Sequence, residues 1–126
     1  MYMIICEFVQ KNKISQNITL KRKVEDSIYE NFTNKNFSLV ELADQLGYSS
    51  SYLSRFINQE FGVGFGELLN NVRLEKARSL LQEGKYQVCE IADMVGFSSS
   101  NSFIRTFKRI EGITPTQYRN VLFSSK

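Results

Sequence analysis

The stretch ADQLGYSSS at residues 43–51 returns as ADMVGFSSS at residues 92–100. Both copies begin with an Ala-Asp pair, and both place a glycine and an aromatic residue ahead of consecutive serines. A self-similarity of this kind in a chain of 126 residues indicates two copies of one structural unit.

The likeness continues on both sides of the quoted stretch. Leu42 and Leu46 match Ile91 and Val95, and beyond the turn the first copy's Leu53, Arg55, Ile57 and Gly62 match Phe103, Arg105, Phe107 and Gly112. Each copy is therefore predicted to be a short helix, a Gly-aromatic-Ser turn and a longer helix. In such a unit the small Ala lets the helices cross closely, Gly supplies a left-handed turn residue, and we expect the aromatic ring to fill the corner.

Hydrophobic periodicity predicts an all-α fold for the rest of the chain. Val24, Ile28 and Phe32 form one apolar stripe, and a long helix is predicted over residues 65–83. Ser38 with Glu41 predicts a capping box, and Thr114 followed by Pro115 predicts the start of the last helix. The predicted buried side of the long helix consists of Leu69, Val72, Leu74, Ala77, Leu80 and Leu81.

Composition excludes several classes of function. The chain has no histidine and two cysteines, Cys6 and Cys89, without CxxC spacing, so a zinc site is not expected. Cys89 lies in an apolar helical pattern and is expected to be half-buried.

We find no catalytic motif and expect neither an enzyme nor a cofactor. The stretch GVGFG at residues 62–66 lacks the lysine and the preceding strand of a phosphate loop. No export signal or membrane span is recognisable, so we expect a cytoplasmic protein with no membrane partner.

The duplicated unit has the pattern of a helix-turn-helix, whose second helix lies in the DNA major groove. The solvent side of the second helices carries hydrogen-bonding residues, namely Ser50, Ser51, Tyr52, Ser54, Arg55 and Asn58 in the first copy and Ser99, Ser100, Asn101, Ser102, Arg105 and Lys108 in the second. A duplicated helical hairpin with a solvated polar face is the alternative. Two copies with an arginine at the same place favour DNA, because the guanidinium matches guanine O6 and N7; the net charge of +3 is compatible with this.

The long middle helix adds a geometric argument. Nineteen residues at about 1.5 Å each span roughly 28 Å. Successive major-groove faces on one side of B-DNA lie about 34 Å apart. One chain could therefore place two recognition helices in adjacent major-groove segments, with some bending of the DNA.

Residues 21–123 resemble the DNA-binding domain of the AraC/XylS family of bacterial transcription regulators. The motifs that carry the resemblance are LADQLGYSSSYLSRFINQEFG, VRLEKARSLL and IADMVGFSSSNSFIRTFKRIEGITPTQYR, the last of which reaches Pro115 and Tyr118. The resemblance implies seven helices in two helix-turn-helix subdomains joined by a long linker helix. It places subdomain one at about 21–64, the linker helix at about 65–83 and subdomain two at about 84–123, within a DNA-binding domain over 21–126.

The resemblance also implies site residues, carried over by position. Base-reading positions fall on Ser51, Ser54, Arg55, Ser100, Asn101, Ser102 and Arg105, and DNA-backbone positions fall on Ser49, Ser50, Asn58, Ser99, Lys108 and Thr114. Two positions depart from the family pattern: Ser102 replaces the usual aromatic residue, and Ile104 replaces a commoner polar residue. Arg55 is the single cation that the first recognition helix offers to DNA.

We expect residues 1–20 to be an N-terminal arm or the remnant of an upstream domain. The chain is either a small stand-alone regulator or a fragment of a larger one; we favour the fragment, and we expect the regulator to be an activator. The expected partners are double-stranded DNA and, through the resemblance, RNA polymerase. An effector ligand or a dimerisation contact would require a domain absent from this chain. The alternative function is a helical protein-interaction module, whose affinity would depend less steeply on salt.

Overall fold

The computed structural model describes residues 18–124, the side chain of Ser124 excepted, and this part of the chain forms seven helices and no strand. They are α1 (18–31), α2 (Leu39–Leu46), α3 (Ser50–Phe61), α4 (Phe65–Glu83), α5 (Val88–Met94), α6 (Ser100–Glu111) and α7 (Pro115–Ser124). The all-α prediction is confirmed. Residues 1–17 of the predicted arm, with Cys6, lie outside the described residues, and residues 18–20 already belong to α1.

Side-chain caps fix where several helices begin. The Ser38 hydroxyl oxygen accepts a hydrogen bond from the Glu41 N–H at 3.3 Å, which is the first of the two bonds expected for a capping box. At α7 both bonds are present: the Thr114 hydroxyl accepts from the Gln117 N–H at 3.1 Å, and the Gln117 side chain accepts from the Thr114 N–H at 3.0 Å. The predicted start of α7 is confirmed, with Pro115 as its first residue.

The described residues pack into two hydrophobic cores that share α4. The first core joins α1, α2 and α3 to the first half of α4 through Leu69 and Val72. The second core joins α5 and α6 to the second half of α4 through Leu74, Ala77 and Leu81. Every residue of the predicted buried side of α4 is buried. Each helix-turn-helix unit therefore has its own core, and α4 connects them as one continuous rod.

The turn of the first unit differs from the prediction. Phe97 fills the corner of the second unit, where it is 4% exposed and its ring lies 5.3 Å from that of Phe103. The equivalent residue of the first unit, Tyr48, is 42% exposed and stacks on Tyr52 at 5.3 Å between ring centroids. The expectation that an aromatic ring fills both corners is wrong for Tyr48, whose phenol group can keep its hydration at the surface.

Cys89 is also placed differently from the prediction. The thiol is free and exposed, not half-buried. The buried residues of α5 are Ile91 and Ala92. Because Cys89 precedes Ile91 by two residues, which is more than half a helical turn, it projects away from the core.

None of the described helices combines the length and the apolar character that crossing a bilayer requires.

Replacing Leu53 by Ala should lower the free energy of unfolding by about 2–5 kcal/mol, because Leu53 is fully buried in the first core. Urea unfolding followed by circular dichroism measures this change. Val40→Ala on α2 is the control, since Val40 is 57% exposed and its truncation should stay within about 0.5 kcal/mol of the parent. Equal, small effects of the two substitutions would contradict the proposed packing.

Candidate nucleic-acid interface

The second helices of the two units, α3 and α6, present equivalent exposed faces, and we call them the recognition helices. Ser51, Arg55 and Asn58 are exposed on α3. Their equivalents on α6, Asn101, Arg105 and Lys108, are exposed too. Residues spaced by four and then three positions lie on one side of a helix. Both helices therefore bring an uncharged polar residue and an arginine together in their N-terminal halves.

The remaining predicted base-reading residues lie at the margins of these faces. Ser54 is half-buried on α3, and its equivalent on α6 is the half-buried Ile104. Ser100 and Ser102 are half-buried in the first turn of α6, on either side of the exposed Asn101. The structure thus brings Ser51 together with Arg55, and Asn101 together with Arg105, while Ser54, Ser100 and Ser102 flank them.

The N-terminus of each recognition helix is capped by a serine. The Ser49 hydroxyl oxygen accepts a hydrogen bond from the Tyr52 N–H at 3.1 Å, and the Ser99 hydroxyl oxygen accepts one from the Ser102 N–H at 3.1 Å. Each hydroxyl keeps its own hydrogen, which can be donated to a phosphate oxygen. Helix N-termini favour phosphate, so both serines, with the half-buried Ser50 beside Ser49, suit the predicted backbone contacts.

The other predicted backbone residues keep donors available for phosphate. One N–H of the Asn58 side-chain amide donates to the Ser54 carbonyl at 2.8 Å, which leaves the second N–H free to donate elsewhere. Lys108 is exposed in the last turn of α6, and the half-buried Thr114 caps α7 while retaining its hydroxyl hydrogen.

The arginines divide into two groups by their contacts. Four serve the fold: Arg73 donates to the Phe32 and Asn34 carbonyls, Arg78 pairs with Glu111, Arg109 with Glu67, and Arg119 donates to the Tyr86 carbonyl. Arg22, Arg55 and Arg105 have no ion pair or hydrogen bond to any residue within 18–124. Arg22 lies on α1, whereas Arg55 and Arg105 lie on the recognition helices. Two exposed guanidinium groups at equivalent positions of a duplicated unit are thus available to an external partner.

One feature that the sequence did not predict is the burial of Arg73, which is 7% exposed. The sequence pattern that could have indicated this burial is the pair of apolar neighbours of Arg73: Val72 belongs to the first core and Leu74 to the second. The buried side of α4 changes direction at this point, so the residue between them is covered by both units.

No group of three or more potential metal-ligating side chains is present in the part of the chain that the structure describes.

Residues 42–120 match the family of helix-turn-helix domains. Among solved structures, an AraC-type DNA-binding domain protein from Chromobacterium violaceum superimposes with a TM-score of 0.73 at 26% identity, covering 86% of this chain and 93% of that one. This chain belongs to the AraC-type helix-turn-helix family.

Two further solved structures resemble this AraC-type domain. The C-terminal domain of the two-component response regulator yesN from Fusobacterium nucleatum is 40% identical, with a TM-score of 0.77, covering 80% of this chain and 98% of that one. The DNA-binding domain of the global transcriptional factor AdpA was solved in complex with a target DNA. It is 25% identical, with a TM-score of 0.78, and the match covers 83% of this chain and 94% of that one.

Curated relatives are much longer than this chain. A helix-turn-helix-type transcriptional regulator of Staphylococcus aureus is 43% identical over 86 residues, which cover 68% of this chain and 12% of the relative. The regulator YtdP of Bacillus subtilis is 40% identical over 82 residues, covering 65% of this chain and 11% of the relative. The matching segment is thus about a tenth of these relatives.

Proposed function

We propose that this AraC-type domain binds double-stranded DNA in a sequence-specific way as the DNA-binding part of a transcription regulator. The observation that carries the proposal is the pair Arg55 and Arg105, exposed at equivalent positions of α3 and α6 and without partners among residues 18–124. A guanidinium group can donate two parallel hydrogen bonds to O6 and N7 of guanine in the major groove. The AdpA domain, which shares this fold, was solved with its target DNA, and this supports the proposal.

The two recognition helices have different reading chemistry. On α3, Ser51 and Ser54 accompany Arg55, and hydroxyl groups discriminate poorly between bases. On α6, Asn101 accompanies Arg105, and a side-chain amide can pair with adenine N6 and N7. Ser100 and Ser102 add hydroxyl contacts at the margins. We therefore expect α6 to specify its bases more strictly than α3.

Phosphate contacts would hold the recognition helices in register. Six residues have donors that suit this role. Three are the capping residues Ser49, Ser99 and Thr114, and the others are Ser50, Asn58 and Lys108. Such contacts position a protein on the duplex without specifying its sequence.

The alternative, a helical protein-interaction module, would use an exposed apolar surface such as the Tyr48–Tyr52 stack. Membership of the AraC-type family favours DNA over this alternative. Salt dependence separates the two functions, because phosphate contacts release counterions and a mainly apolar protein interface does not.

Arg55→Ala and Arg105→Ala should each weaken binding to the preferred DNA site by about 1–3 kcal/mol, because each removes one base-reading guanidinium. Electrophoretic mobility shift at several salt concentrations measures the effect, on a site selected from random duplexes. The unfolding free energy should change by less than about 0.5 kcal/mol, since neither side chain has an internal partner among the described residues.

Arg22→Ala is the charge-matched control, because Arg22 is an exposed arginine of α1 and belongs to neither recognition helix. It should reduce affinity equally for preferred and unrelated duplexes, if at all. Unchanged affinity and site preference in both the Arg55 and Arg105 variants would refute the contact assignment. No enrichment of any site, with weak salt dependence, would instead indicate the protein-interaction module.

The length of α4 leads to a prediction about DNA shape. Its 19 residues span roughly 28 Å, somewhat less than the 34 Å or so between successive major-groove faces. Simultaneous insertion of both helices should therefore bend the DNA, at a deformation free energy of about 1–6 kcal/mol. A circular-permutation assay measures the bend. Straight DNA in a complex that protects both groove segments would contradict this prediction.

A further inference from the structure

Arg73 of α4 contacts the loop before the first helix-turn-helix unit and the turn of the second unit at once. Its Nε donates a hydrogen bond to the Phe32 carbonyl at 2.9 Å, and its Nη2 donates one to the Asn34 carbonyl at 3.0 Å. Both carbonyls lie just after the end of α1, in the loop that leads into the first unit. The same guanidinium lies over the ring of Phe97, in the turn of the second unit, at 5.6 Å from the ring centroid. We call Phe32, Asn34, Arg73, Gly96 and Phe97 the junction.

The position of the Arg73 side chain is narrowly defined. Burial lowers the pKa of this guanidinium, since desolvation disfavours the charged form. A buried cation is tolerated only where partners replace its hydration, and the Phe32 and Asn34 carbonyl oxygens are such partners for Arg73. Because the guanidinium is planar and its donors are fixed, displacing one unit relative to the other would break at least one of these contacts.

The turn of the second unit presses directly on the backbone of the loop after α1. Gly96 has φ +99°, and a Cβ added there would lie 2.2 Å from the Phe32 carbonyl oxygen and 3.0 Å from Arg73 Nε. Its equivalent in the first unit, Gly47, has φ +79° and open space within 4 Å of such a Cβ. Two glycines at the same place of a duplicated turn therefore have different surroundings, and only Gly96 lies in a contact with the loop after α1.

An ion pair borders the junction. Lys35, in the loop after α1, pairs with Asp93 of α5. Asp44, the equivalent of Asp93 in the first unit, has no ion pair to any residue within 18–124. Asp44 and Asp93 therefore differ as Gly47 and Gly96 do: only the residue of the second unit makes a contact with the loop after α1.

We propose that the junction, through Arg73, fixes the distance and rotation between α3 and α6 and thereby selects the spacing of the two base-pair blocks that the domain accepts. Arg73 is then a positioning residue for DNA recognition, without contacting DNA itself. The inference rests on the proposed function. One extra base pair moves a block by about 3.4 Å and rotates it by about a tenth of a turn, which a rigid pair of helices cannot follow without distorting the DNA.

The test measures affinity for a series of duplexes in which the two selected blocks are separated by their preferred spacing or by one or two base pairs more or fewer. For the parent, a change of one base pair should lower affinity by about tenfold or more. Arg73→Lys keeps the positive charge but loses the planar guanidinium with its two fixed donors. Gly96→Ala inserts a methyl group between the turn of the second unit and the Phe32 carbonyl. Both should reduce the ratio between preferred and shifted spacing to below about threefold, or move the optimum.

Gly47→Ala is the matched control, because it carries the same left-handed strain without the contact and should keep the parental ratio. Lys35→Ala changes an exposed residue at the margin of the junction, so it should fold and show a smaller loss of the ratio. Affinity for a duplex with a single block, at low salt, should be the same in all variants, which separates loss of positioning from loss of either unit.

A parental spacing ratio in Arg73→Lys, Gly96→Ala and Lys35→Ala would overturn the inference. If Arg73→Lys or Gly96→Ala unfolds, the remaining junction variants decide by the same ratio. Failure of the parent to prefer any two-block duplex would contradict the proposed function, and is distinguishable because it concerns the unsubstituted chain.

Discussion

A charged side chain held between two hydrophobic cores is the constraint on which the arrangement of this domain depends. Helix α4 contributes Val72 to one core and Leu74 to the other, and Arg73 lies between them with its guanidinium bonded to carbonyls of the loop after α1 and stacked on Phe97 of the second unit. Hydrophobic packing alone is non-directional and would tolerate small rotations of the units. Hydrogen bonds to a planar, buried cation are directional, so they define one relative orientation.

The turns of the two helix-turn-helix units are similar in sequence but differ in their surroundings. In the first unit Tyr48 and Gly47 face solvent. In the second unit Phe97 is buried against Phe103 and under the Arg73 guanidinium, and Gly96 lies against the Phe32 carbonyl. The recognition helices, by contrast, retain equivalent exposed faces, with Arg55 and Arg105 at the same position. The two copies are thus alike on the exposed faces of the recognition helices and differ where one copy makes an internal contact.

The sequence predicts most of the secondary structure and both cores because the signals are local. Caps such as Ser38 and Thr114, and apolar residues repeating every third or fourth position, determine helix ends and buried faces within a few residues of chain. The exposed faces of α3 and α6 follow from the same periodicity, which is why Arg55 and Arg105 are recognisable from the sequence alone. The bases that these residues contact remain a prediction.

The junction could not be predicted in this way. Arg73 and Phe32 are 41 positions apart in the chain, and nothing local to either residue indicates the contact. The exposure of Tyr48 and Cys89 is not predicted for a related reason: apolar or aromatic character shows that a residue can be buried, and the tertiary neighbours decide whether it is.

We propose that one chain reads two successive major-groove segments with Arg55 and Arg105. Methylation interference at guanine N7, on a site selected from random duplexes, is the decisive experiment, because a methyl group at N7 blocks the arginine contact. We expect two groups of sensitive guanines about ten base pairs apart, one losing its sensitivity in Arg55→Ala and the other in Arg105→Ala. A single group of sensitive guanines, or two groups that respond identically to both substitutions, would contradict it.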